Sequence, residues 1–135
     1  MKNLIRSLVV MACLTIASSS FAADEAAWKR VQRLDPGAKL TVTVEGAPPA
    51  ERYFVLLKES ELVVLNLTGT DLPKRQLLNM AKDNPDWMAA TAKTIYKDNS
   101  VRVGPDGVFV KDKKVASLDE VVQHIPRAKV TAVDK

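Results

Sequence analysis

The sequence predicts a mainly β, α+β fold: a small barrel-like sheet with an N-terminal helix and a helical insertion. Three observations lead there. Residues 53–57 (Tyr-Phe-Val-Leu-Leu) and 62–67 (Leu-Val-Val-Leu-Asn-Leu) are short apolar runs, parted by the polar Lys58-Glu59-Ser60-Glu61. They are rich in β-branched and aromatic side chains and apolar on both faces, so they read as the central strands of a hairpin. A barrel or sandwich can cover such a hairpin from each side, and a lone hairpin cannot be stable. Before them, residues 39–45 alternate, with Leu40, Val42 and Val44 set against Thr41, Thr43 and Glu45, as in a half-buried strand. After them, residues 70–99 switch to a helical period before strand character returns.

The chain has 135 residues, and the first 22 have the three parts of a secretory signal peptide. Lys2 and Arg6 make a basic start, residues 8–17 are apolar, and Ser20 and Ala22 suit a cleavage site before Ala23. The apolar run is about half the ~20 residues a bilayer span needs. Export to the periplasm or beyond is therefore expected, with no membrane span after cleavage. Cys13 raises a lipoprotein alternative, but Val10-Met11-Ala12 is a poor approach to a lipidation site. Residues 23–135 suffice for one domain. They contain no cysteine, so neither a disulfide nor thiol chemistry is expected. Losing Lys2 and Arg6 halves the formal net charge of +4, which leaves too little for an argument from bulk charge to nucleic acid or membranes. The short runs Lys29-Arg30, Lys74-Arg75 and Lys113-Lys114 read as solvated faces.

Residues 24–34 predict a helix. Ala27, Val31 and Leu34 recur at helical spacing beside Trp28, the acidic Asp24 and Glu25 suit the N-terminal dipole, and Asp35-Pro36-Gly37 ends it. Gly46-Ala47-Pro48-Pro49-Ala50 links the alternating strand to the central hairpin. Within 70–99, Asp71 can cap a helix over 73–82 carrying Leu77, Met80 and Ala81. Asn84-Pro85 can then start a second over 85–95 with Trp87, Met88, Ala92 and Ile95. These two helices are expected to pack on an open face of the sheet. Residues 100–103 and 108–110 flank the turn Gly104-Pro105-Asp106-Gly107, and Lys111-Asp112-Lys113 turns into Val115-Ala116. Residues 117–125 read two ways. Ser117 and Glu120 match a capping box before Leu118, Val121, Val122 and Ile125 at helical spacing, yet residues 121–125 before Pro126 also suit a strand. Residues 129–133 predict the closing strand, with Val130 and Ala132 alternating against Thr131 and Val133.

The order of a helix, a Pro-Gly turn, short strands and a C-terminal Ile125-Pro126-Arg127-Ala128-Lys129-Val130 resembles the Sm-like small β-barrel, in particular its exported bacterial variants. The matching pieces are residues 28–34, Asp35-Pro36-Gly37, the strands from 39 to 67, and 125–133; residues 70–117 have no counterpart. The resemblance implies an SH3/Sm-like barrel of five bent strands with a short 3₁₀ turn between the fourth and fifth, and it favours 121–125 as strand four. The family's RNA binding does not carry over. The turn after the second strand offers Lys58-Glu59-Ser60-Glu61, which has no stacking aromatic and has two carboxylates that repel phosphate.

Chemistry-bearing residues are sparse. His124 is the only histidine, and alone it lacks both the orienting carboxylate of an activated nucleophile and the co-ligands of a zinc site. Asp83 and Asp86 read as helix-end residues, Asp98 and Asn99 lack the oxygen density of a calcium loop, and residues 104–107 lack the Lys and Ser/Thr of a P-loop. Asn66-Leu67-Thr68 matches a glycosylation sequon only weakly. No cofactor and no metal is expected. Trp28 and Trp87 lie at core-facing helical positions and read as packing anchors; the alternative is that Trp28, Trp87 and Tyr96 mark a partner surface. The expectation is thus an exported, non-catalytic barrel module that binds a protein partner or itself through a sheet edge or the inserted helices. The rivals are a small hydrolase or ligand-binding protein using His124 with a nearby acid, and, less favoured, nucleic-acid binding.

Overall fold

A computed structural model describes residues 23–90 and 94–135. The expected signal peptide over 1–22 lies outside the described residues, as does Ala92 of the second inserted helix. Helix α1 (Glu25–Gln32) lies inside the expected span 24–34 and ends two residues short of it; Asp24 is its N-cap, the carboxylate accepting the Ala27 N–H at 2.8 Å and satisfying one of the four unpaired amides of a first turn. It buries Ala27, Trp28 and Val31. At the following turn Gly37 takes φ 97°, open to a residue without Cβ, and its N–H reaches the Phe54 carbonyl at 2.7 Å.

Strands β1 (Lys39–Val44), β2 (Ala50–Leu57) and β3 (Glu61–Leu65) form an antiparallel meander. The central hairpin is hidden from both sides, as its sequence predicts. Val55, Val63 and Leu65 enter one hydrophobic core, whereas Phe54, Leu62 and Val64 enter another. Leu62, Val63, Val64 and Leu65 have no accessible surface, so β3 is a wall shared by two cores. Fully burying a side chain of this size stabilises by roughly 1.5–3 kcal/mol, and β3 does so four times in succession.

The first core is roofed by α2 (Lys74–Asp83) and α3 (Pro85–Ala89), which bury Leu77, Met80, Ala81, Met88 and Ala89 on it. The inserted helices therefore cover the sheet as expected, with three corrections. Asp71 does not cap α2: Pro73 occupies the N-cap without a side-chain bond, leaving Asp71 two residues upstream. Asn84 does cap α3, accepting the Trp87 N–H at 3.3 Å, but the helix ends at Ala89 instead of 95. Within the predicted helical insertion, Tyr96–Asp98 is a strand, β4, and Ile95 before it is exposed. Asn99 at φ 57° turns β4 back onto β5, and pairing overrides the helical spacing.

Strands β4 (Tyr96–Asp98), β5 (Val101–Gly104), β6 (Gly107–Val110) and β7 (Lys113–Ala116) form a separate four-stranded antiparallel sheet in sequence order. Its Val101, Val103 and Val108 complete the first core. The ambiguous stretch resolves into both readings at once. Helix α4 (Leu118–Val121) carries the Ser117/Glu120 capping box, and β8 (Val122–Pro126) follows without a break. The 3₁₀ turn Arg127–Lys129 leads into β9 (Val130–Asp134). The alternation expected in β9 is overturned: Val130 and Val133 are both buried, because the pairing with β1 slips by one residue at Thr43/Val44.

The second sheet runs β8-β3-β2-β1-β9. Its end strands β8 and β9 are joined by the 3₁₀ turn but are not hydrogen-bonded to each other, so no closed barrel is present among the described residues.

Candidate functional site

The β3–β8 register sets Val63 opposite His124 and Glu61 opposite Pro126. Glu61 and His124 are therefore diagonal neighbours on one face, within reach of long side chains. The Glu61 carboxylate stands 2.7 Å from His124 Nδ1. An ionised carboxylate only accepts, so Nδ1 carries the proton and Nε2 is left for another partner. Lys58 Nζ lies 3.6 Å from the same carboxylate oxygen and donates to the Ala89 carbonyl at 3.3 Å. The hydrogen bond from His124, assisted by the charges of His124 and Lys58, holds the Glu61 carboxyl below its ordinary range despite partial burial.

The same hairpin turn is clamped from the 3₁₀ corner. Arg127 Nη1 donates to the carbonyls of Lys58 at 3.4 Å and Glu59 at 3.1 Å, and the Arg127 N–H donates to the Ser60 carbonyl at 3.0 Å. Its guanidinium lies 4.6 Å from the centroid of Trp28.

His124 lines two hollows. One, of about 420 Å³, is formed with Ala90, Pro105, Asp106, Lys114, Ser117, Leu118, Asp119 and Val122. Ser117 stands there as the N-cap of α4, its N–H donating to Glu120 Oε1 at 2.9 Å, and no hydrogen bond joins its hydroxyl to His124 among the described residues. The other hollow, of about 530 Å³, is a groove along β8 lined by Val44, Arg52, Gln123, His124, Ile125 and Lys129 with their neighbours. Inside its wall Arg52 Nε donates to Gln123 Oε1 at 3.0 Å, linking β2 to β8 past the intervening β3. Burial lowers the Arg52 pKa.

The three residues proposed from sequence as a partner surface are not brought together. Trp28 is buried in the second core beneath Arg127, which removes it from that surface and leaves it a packing anchor. Trp87 and Tyr96 do meet, half-buried, with ring centroids 5.0 Å apart, and Trp87 Nε1 donates to the Thr94 carbonyl at 3.2 Å. Sequence reasoning named His124 but missed Glu61 as its acid, because they lie sixty-three positions apart and only the strand register pairs them. No protein-family model, no curated protein and no solved structure matches the chain.

Proposed function

We propose that the chain, exported and freed of residues 1–22, is a non-catalytic Sm-like β-barrel module. It binds another protein, or a second copy of itself, by accepting an extended segment along the outer edge of β8. The observation that carries this reading is the seam. β8 and β9 end the five-stranded sheet unpaired with each other, and a groove of about 530 Å³ follows β8. An extended segment laid there gains main-chain hydrogen bonds from the edge and side-chain contacts from Val44 and Ile125. The barrel part of the reading is supported by the 3₁₀ turn between the last two strands and is compatible with the Arg52–Gln123 bond across β3. The inserted helices are less suited to docking, since Leu77, Met80 and Met88 are already spent on the core. Light scattering and affinity capture from envelope extracts test the proposal. The expected result is a dimer or a captured protein that the exposed groove substitution Lys129→Glu weakens without lowering the melting temperature; a strict monomer with no captured partner overturns it.

The His124–Glu61 contact favours a second reading, a small-ligand or hydrolytic site at the 420 Å³ hollow. A carboxylate on Nδ1 is the arrangement that orients a general base. Any hydrolytic activity found in the chain should vanish in His124→Gln; survival of that activity excludes the histidine.

A further inference from the structure

We propose that the outward face of the four-stranded sheet docks on an anionic lipid bilayer. Lys97, Arg102 and Lys114 meet headgroup phosphates, and Ile95 enters the acyl boundary. The register defines the face. Val101, Val103 and Val108 are buried in the first core, so by the two-residue period of a strand the residues between them point away from it. Pairing then sets Lys97 opposite Arg102, Arg102 opposite Phe109 and Phe109 opposite Lys114, a single row crossing all four strands. Lys97 and Lys114 are exposed, and the Arg102 guanidinium is held 4.1 Å from the centroid of Phe109. Among the described residues none of the three cations is in an ion pair. Glu120 is the carboxylate near Lys114; its pKa is lowered chiefly by the bonds with Ser117, whose N–H donates to it at 2.9 Å, and least by the Lys114 charge.

The neighbouring row supplies an apolar element. Ile95 Cγ1 lies 3.1 Å from where a Cβ on Gly104 would stand, so its side chain covers Gly104 on the same outward face. At 58 % exposure it is the exposed large hydrophobic among the described residues. A cationic row without a carboxylate in register calls for an anionic partner, and Ile95 decides which kind. An aliphatic side chain held in water gains from entering a bilayer. A single-stranded nucleic acid would instead use an open aromatic ring, and Phe109 is half-buried with Arg102 over its ring. The carboxylates of this sheet are set off the row: Asp98 faces the other way, opposite Val101, and Asp106 and Asp112 lie in its turns. This site is on a different sheet from the β8 groove, so either can fail alone.

The test is co-sedimentation of the exported chain at low ionic strength with vesicles of phosphatidylcholine, with and without roughly 30 % phosphatidylglycerol. Binding is expected to the anionic vesicles alone and to weaken with salt. Lys97→Glu with Lys114→Glu should reduce it by at least about tenfold, since each basic residue near an anionic surface contributes roughly fivefold. Ile95→Ser should reduce it severalfold at unchanged melting temperature; both substituted lysines and Ile95 are exposed, so the fold is retained. Absence of binding, equal binding to neutral vesicles, variants that bind like wild type, or tighter binding of a short oligothymidylate to the same face would each overturn the proposal.

Discussion

The guanidinium of Arg127 lies 4.6 Å from the ring centroid of Trp28 while one of its nitrogens caps the carbonyls of Lys58 and Glu59. One side chain from the 3₁₀ corner thus joins the N-terminal helix to the central hairpin turn. Arg127→Ala should lower stability by about 1–2 kcal/mol, from the lost cation–π contact and the lost charge-assisted bonds. Arg127→Lys should recover little, because an ammonium cannot stack on the indole and reach the carbonyls as a planar fork does. Urea unfolding of the three proteins checks both statements.

Glu61 makes the stability depend on pH in one direction. Its carboxyl is held below the ordinary range chiefly by the His124 hydrogen bond, with help from Lys58. A folded-state pKa below the unfolded one gives a contribution fully present above the unfolded carboxylate value and lost as the pH falls through the lowered folded value. Glu61→Gln should therefore be less stable than wild type by about 1 kcal/mol at neutral pH. The gap should close in acid. A gap that persists or widens below the carboxylate range would show that Glu61 is not the titrating group.

The sequence made the hairpin legible because its signal is local: two short, β-branched-rich apolar runs with no polar face read as strands covered on both sides, and Leu62 to Leu65 are fully buried. The caps at Asn84 and Ser117 were legible for the same reason, each being set by a residue and its neighbours within one turn. What escaped was decided at a distance. Tyr96–Asp98 is too short to show an alternation, and it becomes a strand because Val101–Val103 pairs with it. Val130 and Val133 share a buried fate because of a slip against β1, which leaves no mark in β9 itself. The Glu61–His124 pair likewise exists only through the β3–β8 register. The barrel was read from an order of elements; the order is present, while the edge-to-edge pairing that would close it is not.

Because β3 separates two cores, damage to either should be felt by the whole fold. Leu62→Ala opens the second core and Leu65→Ala the first. Each should cost about 2–5 kcal/mol. If the wall is shared, each variant shows one cooperative transition by both tryptophan fluorescence and circular dichroism, since Trp28 sits in one core and Trp87 packs on the other. Two separated transitions in either variant would mean that the cores fold independently.

The β6–β7 hairpin turns on Lys111 and Asp112, at φ 52° and 65°. Two successive left-handed residues are the geometry of a type I′ turn, which suits the twist of the flanking strands and favours Asn-Gly. Lys111 and Asp112 hold it with Cβ atoms crowding the backbone, at a cost glycine does not bear. The turn is solvent-exposed and packs against nothing in the core, so replacing its residues should change local backbone energy alone. Lys111→Asn with Asp112→Gly should raise stability by roughly 0.5–1 kcal/mol. Thermal melting resolves a change of that size. Because Lys111 lies outside the Lys97–Arg102–Phe109–Lys114 row, vesicle binding should survive in the stabilised variant, and its loss would mean that the turn, rather than the row, makes the contact.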